Sequence, residues 1–418
     1  MKNLVAVVVL VATGAWAQGL KDFLDSAEKE NVDRKISIEQ RNRAAAEYRQ
    51  AWTALLPTLA VSGGWTHNQY NAEFVVNPVT MAKAVIVPYD QLDAVFRIDL
   101  PLIDTGRWFR SMAAGASSES AALRELVTRD LIRKQVVASY YGYAASLAVR
   151  ESAKKSAGVA EAQLKLMQIR SGVGTITELE LLRAKAEVAR TKQTLADTES
   201  LVATSRRTLR TLSGLEPPEL VAAQPDDVRP VEALEELEGR VDQLPSVQAA
   251  DKDREAAGRI STASKLALVP IVSAQFTERV TNATSFTGQA ASFNTGVNLT
   301  WRLDAPTFMG MQAQAATEQT ALLAGERARL QARDQVHSDW QRLKASLIKI
   351  DAAQAQVEAA QRATQVARDR YAAGAATQVD VIQAERDVFG AEVSQIQART
   401  ELATARASLR ISAALPLE

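Results

Sequence analysis

The sequence predicts a mixed fold in which long antiparallel helices carry a small set of membrane-type β-strands, with the whole arrangement occurring twice. Three observations predict it. Four short segments alternate between apolar and polar residues. Two stretches, 111–167 and 309–370, contain no proline and are far longer than an ordinary helix of three or four turns. The turns that follow these stretches also match at an offset of 200 residues: Arg170 with Arg370, Gly174 with Gly374, Thr177 with Thr377, Glu180 with Asp380, Leu182 with Ile382, and Ala184 with Ala384. Self-similarity of that kind marks a duplicated unit.

The N-terminus has the parts of an export signal. Lys2 supplies the charge, Leu4 to Ala12 the apolar region, and Ala15-Trp16-Ala17 a small-x-small cleavage site, so residues 1–17 read as a signal peptide. The apolar run is too short for a spanning helix, which needs about 20 residues. No other stretch is apolar enough to span as a helix. Membrane residence would therefore depend on strands.

The first repeat covers 18–214. Gly19 to Leu56 reads as one helix, stopped by Pro57. A strand near 58–68 follows, with Leu59, Val61, Gly63 and Trp65 on one side and Thr58, Ser62 and Thr66 on the other. Residues 71–90 read as a loop broken by Asn71, Asn77, Pro78 and Pro88, part of it an extended hairpin arm. A second strand, near 93–101, places Ala94, Phe96, Ile98 and Leu100 opposite Arg97 and Asp99 and ends at Pro101. A long helix at 105–170 and a helix at 177–213 complete the repeat, closed by Gly214 and Pro217-Pro218.

A proline-rich linker, 215–230, leads to the second repeat, 231–418. Its first helix is interrupted at Leu244-Pro245-Ser246, with Ser246 expected to cap the second piece. The strands near 270–280 and 292–304 carry Val272, Ala274 and Phe276, then Phe293, Val297, Leu299 and Trp301, on their apolar sides. A long helix at 307–370 and a final helix at 377–411 follow.

Strands of about ten residues with one apolar and one polar face suit a transmembrane barrel. Four of them cannot close a barrel, and bilayer hydrocarbon does not tolerate open edges. Other copies would have to complete the sheet. The lipid-facing set is then Leu59, Trp65, Phe96, Ile98, Phe276, Leu299 and Trp301. A simple coiled-coil rod explains the helices equally well, but it leaves the four strands at matching places unexplained.

Composition narrows the function. The chain has 49 basic and 49 acidic residues, so nothing marks it as a nucleic-acid binder. It has no cysteine, which removes thiol chemistry and a cysteine-linked lipid anchor. Of its two histidines, His67 belongs to the first strand and His337 to a long helix, and neither sits in a metal-ligand motif. Gly172 and Gly174 lack the preceding strand and the Lys-Ser/Thr ending of a phosphate loop. Glu235, Glu236 and Glu238 read as a solvated helix face. No catalytic set is legible, and no cofactor or metal is expected.

The order of these pieces resembles the TolC family of outer-membrane efflux proteins. The resemblance rests on Leu56-Pro57 entering a strand, on Asp99 to Arg107 leaving one, and on Leu212-Ser213-Gly214-Leu215. Its strongest part is the turn Gly374-x-x-Thr377-x-x-Asp380-Val381-Ile382-x-Ala384-Glu385. The resemblance implies a homotrimer with one twelve-stranded outer-membrane β-barrel and an all-α helical barrel across the periplasm. It also implies a passive channel for efflux or type I secretion, docked to a periplasmic adaptor and through it to an inner-membrane transporter or pump. Both Gly-Thr turns would be periplasmic, and the strand-to-strand loops would face outside.

By the same resemblance the adaptor would grip the tips at Gly172, Gly174, Thr175, Thr177, Gly374 and Thr377. Thr177, Glu178, Tyr371, Asp380 and Gln383 would form the gate, with Arg170, Glu180 and Arg370 as partners. Gly172 takes the family's turn position, whereas the internal repeat sets Gly174 opposite Gly374. Ala376 stands where the family's best-known member has a gate arginine, and Gln383 where it has a second aspartate. The competing reading is a non-conducting periplasmic coiled-coil scaffold or adaptor.

Overall fold

The computed structural model describes residues 19–77, 79–219, 227–284, 286 and 288–416. The signal-peptide residues 1–17, Pro78 and Pro225 of the sequence reading lie outside the described residues. The chain divides into two compact units. One holds the segments 39–124 and 248–328, and the other 1–38, 125–247 and 329–418.

The first unit is built on a four-stranded antiparallel sheet, with strands β1 (Thr58–His67), β4 (Asp90–Ile103), β5 (Ile271–Thr281) and β6 (Ala291–Thr300) in that order. The two repeats each supply an adjacent pair, joined where β4 meets β5. Register locks the faces. Leu59 pairs with Ile98, Val61 with Phe96 and Trp65 with Leu92. Ile98 then pairs with Phe276, and Val272 with Leu299. Because side chains alternate along a strand, these pairings put every apolar set on one face.

The hairpin arm expected within 71–90 is present as β2 (Ala72–Asn77) and β3 (Ala82–Val87). Two strand ends differ from the sequence reading. β4 runs past Pro101 to Ile103, because a register shift between Pro101 and Ile103 absorbs the missing N–H. β6 stops at Thr300, so Trp301 to Leu303 lie beyond the pairing.

The flanking helical segments of this unit pack through small and aromatic residues. Trp52 and Trp108 meet edge to face at 5.1 Å between ring centroids. A Cβ on Gly115 would come within 3.1 Å of the Tyr48 ring, which accounts for glycine at that helix position.

The expected single helix 19–56 is broken at Asn31, a residue of the other unit, into α1 (Leu20–Glu30) and α2 (Val32–Thr53). Asn31 makes the break. Its Nδ2 donates to the Leu212 carbonyl at 3.0 Å, and its Oδ1 accepts from the N–H of Asp33 at 2.9 Å, so one side chain starts the next helix and ties it to another. α3 (Thr105–Gly172) and α4 (Glu178–Ser213) follow. Phe23, Ile132, Val136, Tyr140, Tyr143 and Leu209 bury together as their core.

The second repeat builds the same arrangement from α5 (Leu234–Glu238), α6 (Pro245–Lys265), α7 (Ala305–Ala372) and α8 (Gln378–Ser412). Leu237, Val247, Val336, Leu343, Leu402 and Leu409 form its core. Each such side chain contributes about 1.5–3 kcal/mol by burial. Pro245 is itself the first residue of α6, where its missing N–H costs nothing, so Ser246 falls inside the first turn and is not the cap.

Candidate functional site

Two features answer to the functional expectations: the apolar face of the sheet, and the pair of helix turns. On the sheet, Leu59, Trp65, Phe293, Val297 and Leu299 are each about two-thirds exposed within one chain, and Phe96 and Ile98 are 40% exposed. Phe276 stacks on Phe293 at 6.0 Å. Trp301 lies past the strand end, where its indole N–H donates to the Leu268 carbonyl at 2.9 Å. The opposite face is polar. Arg279 pairs with Asp93 there, and the Asn298 amide donates to Gln275 Oε1 at 3.2 Å.

The apolar face carries two charged residues that its pattern does not announce, Asp90 at the hairpin end and Glu278 in mid-strand. Glu278 is paired with Phe96 on one side and Phe293 on the other, so the register puts its carboxyl among the apolar set. The alternation beyond Phe276 was the available signal. Among the described residues, no helix is long and apolar enough to cross a membrane.

The two turns are built alike. Gly174 and Gly374 have φ of +73° and +75°, the left-handed region that side chains disfavour. In each turn the following residue closes on the helix it leaves: the Thr175 N–H donates to Arg170 O at 3.0 Å, and the Ala375 N–H to Arg370 O at 2.8 Å. Gly172 ends α3 without positive φ, so Gly174 is the residue that makes the first reversal.

Thr177 and Thr377 then start α4 and α8 with matching capping boxes. In the second, the Asp380 carboxylate accepts from the Thr377 N–H at 2.7 Å and from its hydroxyl at 2.8 Å. These bonds hold the Asp380 carboxyl below the usual range, and the corresponding bonds from Thr177 do the same for Glu180.

The sequence-selected residues come together in part. The Arg170 guanidinium lies 5.8 Å from the centroid of the Tyr371 ring, joining the two turns through a cation–π contact. The Tyr371 hydroxyl sits 3.7 Å from the Met167 sulfur. Gln383 instead donates to Asp387 along its own helix at 2.9 Å. Beside the turn, Gln378 is buried. Thr175 donates its hydroxyl to Arg170 O at 3.0 Å.

A set of ion pairs above the turns escaped sequence reading altogether, because it joins residues distant in the chain. Glu187 of α4 accepts from Arg190 and from Arg386 of α8. Glu385 accepts from Gln163 of α3 at 2.7 Å and from Arg368 of α7. Burial raises the Glu187 carboxyl, but its two arginines outweigh that and hold it below its ordinary range. At Glu385 burial dominates over Arg368 and the carboxyl is pushed up.

His67 bonds Asp90 at 3.0 Å, and His337 faces Gln341 at 3.5 Å. Among the described residues, no group of three or more histidine, aspartate or glutamate side chains is placed to hold a metal ion.

Comparison with known proteins agrees with this architecture. The family model described as Outer membrane efflux protein matches residues 24–215 and 241–414. The Pyoverdine export outer membrane protein OpmQ of Pseudomonas putida is 28% identical over 324 residues, covering 72% of this chain and 66% of that relative, just under two thirds of its length.

Among solved structures, the CmeC outer membrane channel of Campylobacter jejuni superposes with a TM-score of 0.81 at 15% identity, covering 94% of this chain and 85% of that one. The outer membrane protein VceC of Vibrio cholerae gives 0.78 at 17%, covering 96% and 97%. The open state of the MtrE outer membrane channel of Neisseria gonorrhoeae gives 0.78 at 17%, covering 95% and 89%. At these identities the structures establish the fold.

Proposed function

The chain belongs to the outer membrane efflux protein family, and from that premise we propose that it is the passive outer-membrane duct of an export system. The observation that carries this reading is the sheet. It has one largely apolar face, interrupted in mid-strand by Glu278, one polar face, and two edge strands, β1 and β6, with no second partner among the described residues. Three copies, edge to edge, give twelve strands and remove every edge, as hydrocarbon requires. The apolar face then meets outer-membrane lipid and the polar face a water-filled lumen.

The helices carry the duct into the periplasm. The turns at Gly174 and Gly374 form the tip that a periplasmic adaptor grips, and the adaptor links the duct to an inner-membrane transporter that supplies the energy. Thr177, Glu178, Tyr371, Asp380 and Gln383 line the gate at that end. The chain is not an enzyme: it moves cargo down a path and makes or breaks no bond. The relative named for pyoverdine export makes pyoverdine one cargo to test.

Planar-bilayer recording of the purified full-length protein tests the duct directly. Discrete, long-lived conductance steps are expected. A protein that inserts and stays silent, even with the tip ion pairs removed, would return the reading to a non-conducting scaffold.

A further inference from the structure

The apolar face of the sheet is not smooth. Near the hairpin end it holds a groove of about 450 Å³, walled by Trp65, Leu92 and Val280 and floored where Gly63 pairs with Ala94. Side chains on the adjacent strand positions of this face are larger, so the hollow arises where glycine supplies no side chain and alanine only a methyl group. Nothing in the backbone demands glycine at 63: its φ is not positive, and an added Cβ would meet only the Asp93 carbonyl, at 3.7 Å.

The hairpin-side rim of the groove is polar. The Trp65 indole N–H donates to Asp90 at 3.2 Å, His67 bonds the same carboxylate, and the His67 ring stacks on Tyr89 at 6.3 Å. An apolar hollow ending in an aromatic and hydrogen-bonding rim has the layout of a membrane boundary, where amphipathic rings sit at headgroup level.

We propose that this groove seats an acyl chain of an outer-leaflet lipid, with the headgroup against the rim of Trp65, His67 and Tyr89. The proposal rests on the membrane reading above, since the groove is continuous with the face assigned to lipid. It spans β1, β4 and β5, so joining of β1 to another copy leaves it open.

The test uses the full-length protein purified in mild detergent, incubated with lipid A, washed, and weighed intact by native mass spectrometry. One bound lipid A per chain is expected. Gly63→Leu should lower the occupancy at least tenfold, and so should Ala94→Leu on the neighbouring strand. Val297→Leu, on the same face but outside the groove, should leave it unchanged. No retained lipid on the unaltered protein, or equal retention in all four proteins, would overturn the proposal. Equal losses in all three variants would reduce the binding to general surface adhesion and overturn it as well. The same spectrum reports the number of chains, so failure of the assembly is visible separately from failure of the groove.

Discussion

Arg386 of α8 reaches across to Glu187 of α4, its Nε 3.1 Å from a carboxylate that is only 9% exposed and is also held by Arg190. This pair ties the returning helix of one repeat to that of the other. Arg386 itself is 44% exposed, so solvent screens part of the interaction. Arg386→Ala should destabilise the helical unit by about 1–2 kcal/mol, chiefly by leaving Glu187 one charged partner short. Thermal unfolding should show the loss, and a double-mutant cycle with Glu187→Gln should show coupling. Additive effects would mean that the two side chains act independently.

The same region sets a pH dependence with opposite signs. The Glu187 carboxyl is depressed in the folded chain, so its stabilisation is present above the ordinary value of 4.5 and is lost as pH falls through its folded value. Glu385 is raised, so its contribution is full below 4.5 and is lost as pH rises through its folded value. Glu385→Gln should therefore unfold at a higher temperature than the natural protein at pH 7. The difference should vanish as pH is lowered below 4.5. A variant less stable at pH 7 would show that the bonds to Arg368 and Gln163 matter more than burial.

At the tips, the cost of replacing glycine is conformational, not steric. Nothing lies within 4 Å of a Cβ built on Gly374, yet its φ is +75°. Gly374→Val should cost about 1–2 kcal/mol locally and abolish export, with membrane insertion retained. Gly172→Ala, at the end of α3, should be neutral. Export assays alongside outer-membrane fractionation would separate these outcomes. Undiminished export by Gly374→Val would remove the turn from adaptor docking.

The bonds from Thr377 lower the Asp380 carboxyl, while three such carboxylates brought together around an axis oppose joint ionisation; a ring of them would attract cations. Asp380→Asn should lower cation selectivity and weaken block by multivalent cations in single-channel recordings. It should also weaken the capping box at the start of α8. Unchanged selectivity with lowered stability would leave Asp380 a cap alone.

Much of this was legible in the sequence because periodicity reports burial. Alternation in 58–67 and 291–300 exposed the strands, and the match of Gly174 with Gly374 exposed the repeat and located the reversal better than Gly172 did. What escaped notice depends on contacts between distant residues. Asn31 breaks the first helix because Leu212 offers its side chain a carbonyl. The partners of Glu187 and Glu385 are joined only when four helices pack. The polar rim at His67 needs Tyr89 and Asp90 to return beside it through the hairpin.

The central claim, that copies of this chain complete one membrane barrel, is tested most directly by the mass of the intact particle. The full-length protein in mild detergent, weighed by multi-angle light scattering with the detergent contribution subtracted, should have three times the mass of one chain. A monodisperse, folded monomer with β1 and β6 both unpaired would contradict the account.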